Sequence, residues 1–174
     1  MRLDGDAWRA FFDSYQRDAF RLETLPAYNM ASEQAEYETF LATGVLHIPE
    51  DNPWLVRVRH FRATGRWISR VHVITCPLTD YLRYEFAVYR HTVQAGEDVR
   101  ILDLTDQVNP GLPQQDFWLF DDSAVVRMDY GADGTQLGRE LLEDADPAPY
   151  VAWKRLALAH SQPFTAYARL HECE

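Results

Sequence analysis

Lysine is almost missing from this chain: of the 17 basic residues only Lys154 is one. That scarcity removes several chemistries at once. A phosphate-binding loop needs Gly-Lys-Ser/Thr, and none exists. A nuclease of the restriction-enzyme type needs Glu-x-Lys or Asp-x-Lys, whereas Ala152 stands at that spacing before Lys154. Glycine is equally sparse in pattern, with no Gly-x-Gly-x-x-Gly and no Gly-x-Ser-x-Gly elbow. Two cysteines, Cys76 and Cys173, make no disulfide framework, and the tail cysteine Cys173 is expected free, which suits a reducing compartment. No pair of cysteines or histidines has zinc spacing. No metal and no cofactor is therefore expected. The opening Met-Arg-Leu-Asp-Gly-Asp is without the apolar core of a secretory leader, and no run approaches roughly 18 apolar residues. A cytoplasmic location away from membranes is the expectation.

What is present is acid and apolar surface. The 174 residues carry a net charge of −10, from 27 acids against 17 bases, and 47% of them are hydrophobic. Such a length predicts one domain (residues 1–174) with a sizeable core. An acidic field repels phosphates, so direct nucleic-acid binding is not expected and basic partners are favoured.

A strand–helix–strand unit between Arg66 and Leu102 organises the chain. Trp67–Ile74 is β-rich, Leu78 to about Val93 has helical periodicity, Gly96 stops it, and Val99–Leu102 returns. Such units build parallel sheets. Residues 1–65 read as a mainly helical part. Its first helix starts near Asp4 or Asp6 and carries Trp8, Phe11, Phe12 and Tyr15 on one face. Phe20, Leu22 and Leu25 alternate with Arg21 and Glu23, which predicts an edge strand. Ser32 should cap a solvated helix over Glu33–Thr43, and Asn52-Pro53 should start another reaching Ala63. After a loop over Thr105–Gln115, Phe117–Phe120 reads as a buried strand. Ala124–Tyr130 and Gln136–Leu142 form a hairpin about Ala132-Asp133-Gly134, and a last helix runs from Asp146-Pro147 to about His160. These elements make residues 66–162 the α/β core and leave 163–174 as a tail. The predicted class is α/β, a mixed sheet with helices on both faces.

The candidate ligand- or partner-binding residues are Asp80, Arg83, Glu85, Glu97, Asp98, Arg100, Asp116, Trp118 and Asp121. Glu85 interrupts the apolar seam Leu78-Tyr81-Leu82-Phe86-Tyr89-Val93, where a carboxylate is costly without a partner. A structural ion pair with Arg100, Arg70 or Arg127 is the favoured explanation, and the floor of a ligand cleft is the alternative. Asp80 and Arg83 are placed to pair along the helix. The remaining acids cluster at ends of strands, where open α/β sheets collect ligands. His60 has no second ligand at metal spacing. No catalytic residue is assigned.

The segments LTDYLRYE (Leu78–Glu85), AGEDVRIL (Ala95–Leu102) and LPQQDFWLFDD (Leu112–Asp122) resemble an uncharacterised family of actinobacterial proteins. Its members are typically encoded beside helix-turn-helix regulators or signalling genes. The family has no established activity, but the net charge, the missing catalytic motifs and this resemblance together point to a non-enzymatic regulatory or adaptor module that binds a protein partner, such as a helix-turn-helix regulator, or a small ligand. Trp8, Phe11, Tyr15 and Trp54 are the candidate partner anchors. The element order also resembles one half of a phospholipase D-type domain, which would make the rival a hydrolase or phosphodiesterase-like enzyme with an acidic cleft. That superfamily works through His-x-Lys. Here the six histidines are followed at the second position by Pro49, Arg62, Ile74, Val93, Gln162 and Cys173.

Overall fold

In the computed structural model, which describes residues 1–171, seven strands form one sheet. The strands are β1 Asp18–Glu23, β2 Trp67–Ile74, β3 Asp98–Asp103, β4 Phe117–Phe120, β5 Ala124–Tyr130, β6 Gln136–Leu141 and β7 Gln162–Pro163. Their spatial order is β6-β5-β4-β1-β2-β3-β7. β1, β2 and β3 run parallel, and β4 to β6 and β7 flank them in antiparallel pairing. The helices are α1 Gly5–Asp13, α2 Gln34–Thr43, α3 Pro53–Ala63, α4 Asp80–Ala95, α5 Ala148–His160 and α6 Phe164–His171. The expected α/β class, with helices on both faces of a mixed sheet, is the observed one.

Local chemistry sets several boundaries. The Asn52 side chain accepts from the amides of Trp54 and Leu55, and Pro53 fills the first turn of α3. Thr79 caps α4 by accepting from Leu82, and Gly96 ends that helix at φ +115°. Asp4 stands at the start of α1 but makes no capping bond, because its carboxylate is drawn to Arg2.

Because strand side chains alternate, the sheet has two distinct faces. Phe20, Leu22, Val71, Leu102, Phe117, Leu119 and Val125 pack with Ala157 of α5. On the other face Ala19, Ile68, Trp118, Phe120, Val126 and Met128 meet Phe12 of α1 and Leu55, Val58 and Phe61 of α3. Farther along that face Ile74, Val99 and Ile101 meet Leu82 and Tyr89 of α4 and Phe164, Tyr167 and Ala168 of α6.

Four expectations need correcting. β1 is the central strand rather than an edge strand, buried from Ala19 to Glu23. Its alternation separates two interiors instead of core from solvent, so residues 1–65 are not a separate helical part. Residues 163–171 are not a tail: β7 extends the sheet beside β3, and α6 closes the core. Finally, α2 is more than a solvated face, since Tyr37 and Phe40 set their rings at a tilt against the buried Tyr84. The expectation for Cys173 lies outside the described residues, while Cys76 is free and half-buried.

The β5–β6 turn needs its glycine. Gly134 sits at φ +79°, and a Cβ there would lie 2.6 Å from the Ala27 carbonyl oxygen. The Asn29 amide donates to the Gly134 carbonyl at 3.0 Å, tying the turn to the segment that carries Tyr28. Gly134→Ala is expected to lower stability by about 1–3 kcal/mol, read from a denaturation midpoint. A shift of less than a few tenths would mean that the turn does not seat this segment.

Candidate functional site

One face of the sheet is polar where an apolar core would be expected. In the parallel β1–β2 pair, Arg21 lies beside Arg70 and Glu23 beside His72. All four side chains are turned under the helices. Arg21 and His72 are 3% and 0% exposed, so every charge here requires an internal partner.

The partners alternate in sign. Arg21 donates from Nη2 to Asp116 Oδ2 at 3.0 Å and to the Tyr130 hydroxyl at 2.8 Å. Asp116 also accepts from the Thr24 amide, the Thr24 hydroxyl and the Tyr28 hydroxyl. Arg70 donates from Nε to Glu97 at 2.6 Å and from Nη1 to both oxygens of Glu23 at 3.2 Å. Burial alone would raise the Glu23 carboxyl, but Arg70, His72 and Arg21 together hold it down to about 2. His72 Nε2 lies 3.0 Å from the Leu25 carbonyl oxygen, which can only accept, so that nitrogen carries a proton. Its Nδ1 meets the Tyr89 hydroxyl at 2.7 Å, and Tyr89 reaches Glu23 at 3.2 Å.

Above this polar floor is a cavity of about 290 Å³. That volume stands at the lower end of small-ligand pockets, about 300–1,000 Å³. Arg21, Glu23 and Arg70 line it from the central strands, and Trp8, Phe12, Trp54 and Trp118 supply aromatic wall. Tyr81 and Glu85 come from α4, Glu33 from just before α2, and Arg139 from β6. Asp116 and Glu97 stand behind the arginines as their counter-ions.

Glu85 makes no arginine ion pair among the described residues. Arg70 is taken by Glu23 and Glu97, Arg100 by Ser161 and Asp98, and Arg127 by Asp129 and Glu140. Its neighbour is instead the Tyr81 hydroxyl at 3.0 Å, which also lies 3.2 Å from Glu33. Burial first, then the charges of Glu33 and Glu23, push the Glu85 carboxyl up to about 8. Glu33 is raised as well, chiefly by burial. The single Tyr81 hydroxyl proton is directed at two carboxyl groups, and a Glu85 that keeps its own proton at neutral pH relieves the conflict between them.

The family match reaches across this architecture from α1 into α6. The chain belongs to the family described as Domain of unknown function (DUF6879), whose model matches residues 6–169. No curated protein matches it.

Within this DUF6879 chain the expected site residues divide. Glu85 and Trp118 line the cavity, while Glu97 and Asp116 buttress its floor. Asp80 and Arg83 pair with each other at 3.1 Å on the exposed side of α4. Asp98 and Arg100 lie on β3, where Arg100 ties the chain at Ser161 through two hydrogen bonds. Asp121 accepts the amides of Gln16, Arg17 and Asp18, a backbone clamp before β1. Among the described residues no group of three or more His, Cys, Asp or Glu is placed to hold a metal ion. No described helix is long and apolar enough to cross a membrane. The anchors Trp8, Phe11, Tyr15 and Trp54 face inward, in the cluster around Phe12.

Arg21, Glu23, His72, Tyr28, Tyr81, Tyr130 and Arg139 were not singled out from the sequence as a site. A signal existed in two strands. Arg-x-Glu (Arg21, Glu23) and Arg-x-His (Arg70, His72) occupy alternate positions of segments whose other positions are apolar. Read as solvent-facing, such residues are ordinary. Once both faces of the strands are covered, they mark a polar interior.

Proposed function

We propose that this protein is a non-enzymatic regulatory module that recognises a small ligand in the cavity between the sheet and helices α1, α3 and α4. One observation carries the reading. Arg21 lines the cavity, is almost wholly buried, and leaves its Nη1 without any hydrogen-bond partner. A scaffold gains nothing from an orphaned guanidinium N–H group, which costs free energy until something accepts from it. Its surroundings combine aromatic walls with a few fixed polar groups, the usual composition of a small-molecule site.

The resemblance to actinobacterial proteins encoded beside regulators supports a regulatory role, with ligand binding as the input and a helix-turn-helix regulator as a possible recipient. A protein-docking role resting on Trp8, Phe11, Tyr15 and Trp54 loses support, because those rings are committed to the interior. The exposed large apolar residues (Leu41, Val56, Trp67, Val108, Leu137 and Leu170 among them) are distributed over separate elements. Single exposed apolar residues are normal on any surface.

The rival reading is an acid-assisted hydrolase, favoured by the proton that Glu85 retains. It lacks an obvious nucleophile: Thr92 is the aliphatic hydroxyl in the wall, and it donates to the Tyr89 carbonyl at 3.3 Å rather than meeting a base. The phospholipase D-like resemblance adds no chemistry without His-x-Lys.

Exposing the purified protein to the low-mass fraction of a cell extract tests the proposal. Native mass spectrometry should show a retained small molecule, and tryptophan fluorescence should change because Trp8, Trp54 and Trp118 line the cavity. Arg139→Gln should weaken retention without unfolding the protein. Steady consumption of the retained molecule would favour the hydrolase, and an unaltered spectrum with every fraction would sink the small-ligand reading.

A further inference from the structure

Beyond the paired charges of its floor, the cavity is lined by two arginines and two glutamates whose bonding is incomplete. Arg21 and Arg139 come from β1 and β6, and each has a guanidinium nitrogen, Nη1 and Nε respectively, buried without a partner. Arg139 forms no ion pair among the described residues; Gln136 and the ring of Trp8 are its contacts. Burial, with the nearby Arg21 charge, holds its guanidinium below its usual basicity. Glu33 and Glu85 show the mirror image. They meet at the Tyr81 hydroxyl, neither forms an ion pair among the described residues, and burial raises both. Two arginines thus keep orphaned N–H groups, and two glutamates lack an ion pair among the described residues, in one small cavity lined by Trp8, Trp54 and Trp118.

We propose that the ligand is a small zwitterion built on a planar ring, its carboxylate received by Arg21 and Arg139 and its amine by Glu33 and Glu85. The inference rests on the small-ligand reading above and names the class of molecule. A carboxylate has the acceptor geometry that two guanidinium groups demand. The flat ring matches aromatic walls in a cavity too small for a polymer. An ammonium supplies the positive charge that would let both carboxyl groups ionise.

Proton release should accompany binding. Glu85 faces Glu33 from before α2, Glu23 from β1, Arg70 from β2, and Tyr81, Tyr84 and Tyr89 of its own helix. At neutral pH it keeps its proton in the free protein, and an arriving ammonium displaces it. Affinity should therefore rise from about pH 6 to about pH 8.

Calorimetric titration with three probes tests this: para-(aminomethyl)benzoate, para-toluate and para-methylbenzylamine, which share a ring and differ in charge. The zwitterion should bind roughly tenfold or more tightly than either singly charged probe. Its binding enthalpy should differ between phosphate and Tris buffers by the released proton. Arg139→Gln should weaken the zwitterion and para-toluate but spare the amine. Glu85→Gln should weaken the zwitterion and the amine, spare para-toluate, and abolish the buffer dependence. Denaturation midpoints of both variants check that each still folds. Equal affinity for all three probes would overturn the inference and leave the small-ligand reading standing. So would failure of all three while the protein retains a small molecule from extract. No binding of any kind would overturn both.

Discussion

Asp116→Ala is expected to destabilise the protein by about 3–5 kcal/mol, the penalty for leaving a buried charge without its partner. Asp116 accepts from four donors at once: Arg21, the Thr24 amide, the Thr24 hydroxyl and the Tyr28 hydroxyl. Those donors belong to the central strand and the segment that follows it, so their loss would loosen the sheet and the cavity wall together. Glu23 lies 3.5 Å from Arg21 and supplies only partial compensation. Asp116→Asn should cost less, because an amide oxygen still accepts while the charge is gone. Chemical denaturation measures both. A loss below 1 kcal/mol for the alanine variant would mean that the Arg21 network is not closed in solution.

Stability should fall as pH rises from about 4.5 to about 8, and Glu85 is the reason. Its folded carboxyl is pushed up to about 8, above the ordinary 4.5 of an unfolded chain. The folded state therefore binds a proton that the unfolded state has released throughout that window. The contribution is fully present below about pH 4.5 and is lost as pH climbs through the folded value. Its size is on the order of 3–5 kcal/mol, at about 1.4 kcal/mol for each unit of displacement. Glu23 works in the opposite sense. Held down to about 2 by Arg70, His72 and Arg21 against its burial, it contributes stability above about pH 4.5 that disappears as pH falls through 2. Together these two groups place their combined maximum near pH 4.5. Glu85→Gln isolates the first effect: it should flatten the decline and be more stable than the parent at pH 9. If the two proteins instead follow parallel curves from pH 5 to pH 9, Glu85 is ionised in the fold and the proton-sharing arrangement with Tyr81 and Glu33 is wrong.

The pattern of residues carried the framework well. Trp67–Ile74, the Asp80–Ala95 helix and Asp98–Asp103 occur within a few residues of where periodicity and Gly96 place them, with the two strands parallel and adjacent. Phe117–Phe120, the hairpin after it and the Asn52-Pro53 start of α3 were equally legible. All are local properties: alternation, helical spacing, capping side chains and glycines at positive φ act over a few residues. Burial of Glu85 against an apolar seam was also visible, although its partner was not.

Tertiary structure alone decided the centre of the sheet and the site upon it. The alternation in Asp18–Glu23 is the same whether Arg21 and Glu23 face water or a second interior. Only the arrival of α1, α3 and α4 over that face turned two ordinary surface charges into the floor of a cavity. The arginine nearest in sequence logic to Glu85 went elsewhere for a similar reason. Arg100 points from the opposite side of β3 and finds Ser161, because a strand sends successive residues to opposite faces. Covalent order and local pattern thus determined which helices and strands form and how they are capped. Which charges meet, at Arg21–Asp116, at Arg70–Glu97 and across Tyr81, was set by contacts between elements 27 to 95 residues apart, and no local property of the chain encodes those distances.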